Sequence, residues 1–518
     1  MNERQMKVTF QPQGRSVYVL SGTKIIEAAG AVGIIINTPC GATGGCGKCR
    51  VKIISPKSEP TPADEKIFSE EELKQGWRLA CQNTITEDMV IEVPKESLLS
   101  GIEKIVIESD IIQTLIPDER QIKGDKYFGV AVDVGTTTLA ASLVNLKNGN
   151  EIAVIGEVNP QISFGDDVIS RIKHAADKNG LAELQKTVIR QINAIINQLC
   201  KQGGVGRENI YEVAIAGNTT MEHLVCGIDP SPLGQLPFEP VWRGAKVINA
   251  SELKIEINSK GIVYIFPIIG GFVGGDISAG MLALDLLNQP QPALMIDIGT
   301  NGEIVLVNNN KIMAASTAAG PAFEGARISC GMRATIGAIE KVKFNNECIY
   351  NVIGNVKPMG ICGSGLIDVT AGLLNAGIID SSGRMKQPEF VIADKVKITQ
   401  KDIRQIQLAV GAIRAGINII LKQSDLRPVD LKKVFIAGGF GSFIRRNHAQ
   451  RIGLLPMEIG HEKISFVGNT SLAGVKLALL SIKAREKAEN LANQTKHIEL
   501  SADSDFQDEF ASAMIFPG

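Results

Sequence analysis

The chain lacks an excess of either charge. Lys and Arg number 54 against 55 Asp and Glu, for a net charge of -1. No global field therefore draws it to nucleic acid or to an anionic membrane, and a folded protein or a small ligand is the expected partner. It also lacks an apolar leader: MNERQMKVTF carries none, and the greasiest later stretch, Phe266 to Leu287, is broken by glycines, Asp276 and Asp285. A cytoplasmic protein without a membrane span is expected. Cysteine is scarce, and nine among 518 residues exclude a disulfide scaffold. The Walker lysine motif and the Rossmann fingerprint are both missing, which excludes a P-loop enzyme and disfavours a dinucleotide site.

What is present points elsewhere. A chain of 518 residues exceeds what one hydrophobic core supports, so two or three domains are expected. Four of the nine cysteines, Cys40, Cys46, Cys49 and Cys81, crowd into the first 81 positions, whereas Cys200, Cys226, Cys330, Cys348 and Cys362 are scattered and read as small buried hydrophobes. KVTFQP and SVYVL read as strands around a turn at Gln13 and Gly14, Lys24 to Ala29 as a short helix, and DMVIEVP as a closing strand. The first domain is expected at 1–97 and a linker at 98–124. From Tyr127 onward strands alternate with longer helical patterns, the mark of an α/β domain. Within it, Ile403, Ile406, Val410, Ile413, Ile417 and Ile420 predict a helix over Asp402 to Gln423, with Thr399 and Asp402 as its capping box.

Cys40-x5-Cys46-x2-Cys49, with Cys81 arriving from 32 positions beyond, supplies three thiolates from one loop and a fourth from elsewhere, as a [2Fe-2S] cluster requires. Gly41, Gly44, Gly45 and Gly47 let that loop curl and aim N–H groups at sulfur. A four-cysteine zinc site is the alternative, but such sites pair their ligands at short spacing and Cys81 has no close companion.

An internal repeat organises the remainder. Asp133-Val-Gly-Thr-Thr-Thr138 recurs as Asp297-Ile-Gly-Thr-Asn-Gly302, Val213–Gly217 as Val434–Gly438, and Phe272-Val-Gly274 as Phe466-Val-Gly468. Two copies of one α/β unit are expected, at 125–285 and 286–518. Alone, a tip such as Asp133-Val-Gly135-Thr136-Thr137-Thr138 is an ordinary β-turn. Paired with Asp297, Gly299, Thr300, Asn301 and Gly302, it is one of two opposed hairpins able to grip a triphosphate, with Asp133 suited to Mg²⁺. Gly438, Gly439 and Gly441 after the strand KKVFIA leave room for a flat adenosine.

These segments carry three resemblances. TPCGATGGCGKCRVKI with RLACQ resembles a β-grasp [2Fe-2S] ferredoxin domain, with five residues rather than the plant-type four between its first cysteines, as in the adrenodoxin-like branch. The two Asp–Gly–Thr hairpins followed by Gly–Gly–Phe–Gly resemble the ASKHA (actin-like ATPase) superfamily, which implies Mg-ATP between two halves. It also places Asp276 and Thr470 on interdomain connecting helices, and makes Asp276 and Glu303 candidates to orient or deprotonate the attacking water. Each is equally readable as a capping or solvated carboxylate. The fold class implied is multidomain, an α+β ferredoxin domain followed by a duplicated α/β ASKHA domain.

The fusion, together with AAGPAFEGA, GICGSGLID and the tail HIELSADSDFQDEFASAMIFP, is similar to the RACo-like reductive activators of corrinoid proteins. The resemblance implies ATP-dependent reduction of Co(II) to Co(I) in a corrinoid protein, fed by an upstream low-potential electron donor, with a homodimer left open. An ATP-dependent donor to a non-corrinoid enzyme, and an ASKHA kinase or binding module with a regulatory ferredoxin domain, stand as alternatives.

Overall fold

The computed structural model describes residues 5–32, 34, 36, 44, 45, 47–98, 117, 118, 126–345, 347–438 and 444–518. Cys40, Cys46, Gly439, Gly441 and most of the expected linker lie outside these residues.

The N-terminal unit is a mixed sheet of β1 (Gln5–Gln11), β2 (Arg15–Leu20), β3 (Arg50–Ser55), β4 (Trp77–Leu79) and β5 (Met89–Glu92), in the order β2-β1-β5-β3-β4. β1 turns into β2 at Gly14, whose φ of 64° suits a residue without a Cβ. β1 then runs parallel to β5. Parallel pairing needs a crossover, and the helix Ile25–Ala31 lies in it, burying Ile25, Ala28 and Ala29 against Val8, Phe10, Leu79 and Ile91. A sheet clasping one helix is the β-grasp.

Two six-stranded sheets follow. The first contains β6 (Phe128–Val134), β7 (Thr138–Asn145), β8 (Glu151–Val158), β9 (Ile210–Gly217), β10 (Lys246–Asn249) and β11 (Ile262–Ile265). The second starts with β12 (Ala293–Ile298), β13 (Gly302–Asn308) and β14 (Lys311–Thr317). Chain then leaves for two small sheets, one of β15 (Ala338–Asn345), β16 (Glu347–Val352) and β17 (Gly360–Ile361), the other of β18 (Glu389–Ala393) and β19 (Val396–Thr399). It returns with β20 (Lys433–Ala437), β21 (Ile464–Gly468) and β22 (Thr495–His497).

Strand order makes the duplication visible: β11-β9-β6-β7-β8 in one sheet corresponds to β21-β20-β12-β13-β14 in the other. Central strands are apolar on both faces because helices cover both sides. One such helix, Gln400–Lys422, starts at Thr399 with the Asp402 capping box formed, and buries all six isoleucine and valine positions named above.

The helices Gly275–Leu284 and Thr470–Leu480 connect the halves and lie against each other. Their separation is set at Gly474, where a Cβ would collide with the Ala279 carbonyl oxygen. One core, with Phe266, Met295 and Leu472 among its members, runs through both halves. Among the described residues no helix is long and apolar enough to cross a membrane.

The ferredoxin-like unit rests on the first half through helix Ile25–Ala31 and the 3-10 turn Pro160–Ser163. At Gly30 a Cβ would stand 2.5 Å from both Cβ and Oγ of Ser163. Gly30→Ala should therefore cost about 1–3 kcal/mol by overpacking, and Ser163→Gly in the same chain should restore most of it. Calorimetric unfolding of both single variants and the double variant checks this; additive losses would dissociate the two positions.

Candidate functional site

Two sites emerge, joined by the Gly30 contact. At the first, Cys49 and Cys81 are buried with their sulfurs 3.3 Å apart. Backbone pairing brings them together: Ala80 N–H donates to the Cys49 carbonyl at 2.9 Å. Asp64, wholly buried, holds this end of β4 in place. Its carboxylate accepts from Leu79 N–H at 2.7 Å, Asn83 Nδ2 at 2.9 Å, and Thr61 N–H and Oγ at 2.8 Å each. Helix Ile25–Ala31 adds two bonds on either side of Cys81, Ile26 N–H to the Ala80 carbonyl and Ile25 N–H to that of Asn83. Two thiolates this close repel unless a cation lies between them, so the donor pair fits one iron of a cluster.

The second site is a cleft, open at its mouth, between the two six-stranded sheets. The β6–β7 tip brings Asp133, Gly135, Thr136, Thr137 and Thr138 to it, and the β12–β13 tip brings Asp297, Gly299, Thr300, Asn301 and Glu303. Asp276, at the start of its connecting helix, and Gly438 also line it. Gly302 does not. It begins β13 with its α-carbon toward Ile413 and Thr317, where a Cβ would lie 2.7 Å from Ile413 Cγ1, so its smallness serves packing behind the tip.

The tips touch across the cleft. Thr300 Oγ donates to Glu324 Oε1 at 2.8 Å, which leaves Thr137 Oγ to donate to Thr300 Oγ at 3.2 Å. Asp133 is also bonded across, accepting from Asn469 Nδ2 at 2.9 Å and Ser471 Oγ at 2.8 Å. Asn218 plays a similar local part: it caps helix Thr219–Cys226 and donates to Thr136 Oγ at 2.9 Å, while Asn469 caps Thr470–Leu480. Gly217-Asn218-Thr219-Thr220 and Gly468-Asn469-Thr470-Ser471 share one local pattern, although they follow β9 and β21, which do not correspond in the duplication; that shared pattern is a signal that could have found both asparagines.

The first tip is braced from behind by residues without such a signal. Asn159 donates from its side chain to the Gly135 carbonyl at 2.8 Å and from its backbone to that of Thr137 at 2.9 Å. Arg171, wholly buried, donates to the Thr136 carbonyl at 2.5 Å and the Gly165 carbonyl at 2.9 Å, and burial lowers its pKa to about 9.

Carboxylates dominate the cleft floor. Burial raises the pKa of Asp133 despite its two donors. Burial and then Asp133 bring Asp297 to about 7. Asp276, and Glu303 beside it, are held well above the usual carboxylate range by burial first and by neighbouring carboxylates second. Glu222, fully buried next to Asp276, is raised for the same reasons. Among the described residues no three His, Cys, Asp or Glu side chains converge enough to hold a metal unaided.

Comparisons with known proteins agree with this geometry. Residues 8–86 match the model of the 2Fe-2S iron-sulfur cluster binding domain, 128–289 that of the RACo middle region, and 291–518 that of the C-terminal domain of RACo, the ASKHA domain. Fold and matches together define a ferredoxin-type domain joined to an ASKHA-type ATPase.

Over 592 aligned positions, 99% of each chain, the protein is 31% identical to the corrinoid activation enzyme RamQ of Eubacterium limosum. It is 29% identical to the [Co(II) methylated amine-specific corrinoid protein] reductase of Methanosarcina barkeri, across 67% of this chain and 68% of that one. A solved structure, the reductive activator for corrinoid,iron-sulfur protein, superposes with a TM-score of 0.73 at 35% identity, covering 99% of this chain and 98% of that one. The chain belongs to the RACo family of corrinoid activation enzymes.

The raised Asp297 sets a pH dependence. Its folded pKa, about 7, exceeds the unfolded value of about 3.9, so the folded state holds the extra proton and stability falls as pH rises through about 4 to 7. Asp297→Asn should flatten this slope in the nucleotide-free protein. Calorimetric midpoints between pH 5 and 8 test it, and an unchanged slope would contradict the assignment.

Proposed function

We propose that the chain is an ATP-dependent reductive activator that passes one electron to the Co(II) of a corrinoid protein, giving Co(I). Its electrons come singly from an upstream low-potential donor, and the active unit is the monomer or a homodimer. The observation that carries the reading is a continuous path: the helix that bonds on both sides of Cys81 packs through Gly30 on Ser163, and the Ser163 turn is capped by Asn159, which bonds the phosphate tip.

In this reading Cys40, Cys46, Cys49 and Cys81 hold a [2Fe-2S] cluster, which when bound supplies a one-electron centre near about −400 mV. Gly135, Thr136, Thr137 and Thr138 on one side, with Gly299, Thr300 and Asn301 on the other, enclose the ATP phosphates. Asp133 and Asp297 hold the Mg²⁺, and Gly438, Gly439 and Gly441 face adenosine. Entry of the phosphates separates Thr137 from Thr300, since their mutual hydrogen bond occupies the gap between the tips. Asp276 or Glu303 then takes a proton from the attacking water, a task for which a raised pKa is suited. Product phosphate leaves, the tips rejoin, and the Asn159 turn follows the first tip.

Two measurements test this. Anaerobically purified protein should carry two irons and two sulfides per chain, and Cys49→Ala or Cys81→Ala should lose them; zinc in their place would refute the cluster. Co(I) absorption should appear in a cognate corrinoid protein only with reductant, cluster and ATP together, and Asp133→Asn should cut ATP turnover without altering the visible spectrum. Equal rates and yields of Co(I) without nucleotide would overturn the activator reading.

A further inference from the structure

One cation stands among the carboxylates of the cleft. Arg333 is the single basic side chain among the described residues that line it, which include Asp133, Asp276, Asp297, Glu303 and Glu324. Its loop is fixed by its surroundings. Met332 N–H donates to the Ile361 carbonyl at 2.9 Å and Ile361 N–H to the Cys330 carbonyl at 2.8 Å. Gly325, at a φ of 80°, lets the Met332 backbone pack where a Cβ would meet it at 2.5 Å. The side chain is nevertheless unfinished: its Nη1 is buried with no hydrogen-bond partner among the described residues. A buried guanidinium donor left unpaired is costly, because the group has given up water without replacement.

We propose that Arg333 completes its hydrogen bonding on the polyphosphate of the bound nucleotide. The inference rests on the reading of this cleft as the nucleotide site. A planar guanidinium fork matches phosphate oxygens and keeps its charge throughout the working pH range. Glu324 is the charge that acts most on Arg333, and Glu324 accepts from Thr300 at the second tip. Arg333 is thereby associated with the phosphate tips and not with Gly438, where adenosine is expected. The charge balance agrees, since carboxylates suit Mg²⁺ but repel a polyphosphate, and a fixed cation offsets that repulsion.

Calorimetric titration of ATP and of adenosine into the holoprotein and into its Arg333→Gln and Arg333→Lys variants tests the proposal. Arg333→Gln should weaken ATP binding by about tenfold or more, the loss of one charge-assisted bond, and leave adenosine binding within about twofold of wild type. Arg333→Lys should fall between the two. The nucleotide-free Arg333→Gln protein should melt no earlier than wild type, since the unpaired Nη1 supports nothing, and its cluster spectrum should be unchanged. Unaltered ATP affinity would overturn the inference. Equal losses for ATP and adenosine would also overturn it, by placing the guanidinium on the base, and so would a lower melting point with parallel loss of both ligands. Failure of the wild type to bind ATP would instead refute the reading of the cleft on which the inference rests.

Discussion

Asp133, Asp276, Asp297 and Glu303 meet at one cleft floor, Glu303 buried and the three aspartates half-buried. Like charges so placed cannot all be ionised unless a cation joins them, and the rest of the cleft is arranged around that constraint. Two of the four come from each half of the duplicated unit. Their balance therefore changes when the halves shift, and the halves shift when their balance changes. Among the described residues, Asp133 is the only one of the four with donors from the opposite half, Asn469 and Ser471 at the start of the second connecting helix. That helix is pinned to its counterpart at Gly474 and Ala279. A cation arriving at the floor is felt first by Asp133, and through it by the helix pair that sets the angle between the halves.

A second line runs from the same floor toward the iron–sulfur domain. Its parts are short and stiff: two hydrogen bonds from Asn159 to the first tip, one turn of 3-10 helix, the Ser163–Gly30 contact without intervening side chain, and the N–H groups of Ile25 and Ile26 on carbonyls on either side of Cys81. Arg171 stiffens the same tip from below. Coupling of this kind requires an element with two arrangements, and in the proposed reading the Thr137–Thr300 bond supplies one, the tips being either bonded to each other or parted around phosphate.

Much of this was legible in the sequence, and what was not has a physical reason. The cysteine loop and both hairpins announce themselves because their chemistry is local, with three of the four cysteines inside ten positions and each hairpin tip inside six; only Cys81 arrives from 32 positions beyond. The helix over 400–422 is legible because its apolar period is unbroken and its capping box is adjacent. Asp64, Asn159, Arg171 and Arg333 are lone polar residues with partners brought close only by folding; Arg171 and the carbonyl it holds are 35 positions apart. Asn218 and Asn469 fall between these cases, since their motif repeats while their targets do not. Gly302 shows the converse hazard: it belongs to a ligand-like motif, yet its missing side chain makes room for Ile413.

Magnitudes decide which event in the ATP cycle can drive an uphill electron. An acceptor about 100 mV below the cluster costs about 2.3 kcal/mol, a factor of about fifty in yield. The Thr137–Thr300 contact joins two neutral hydroxyls, a bond worth about 0.5–1.5 kcal/mol net, whereas the same hydroxyls on phosphate make charge-assisted bonds worth about 1.5–3 kcal/mol. The exchange at Thr137 supplies about 1–1.5 kcal/mol of the electron's cost, and the other donors of both tips, with Mg²⁺ relieving the carboxylates beneath, add to it. Nucleotide binding is thus large enough to favour one arrangement of the tips over the other by the required factor. In the proposed cycle, hydrolysis removes the phosphate that parts Thr137 and Thr300, so that they rejoin and the cycle repeats.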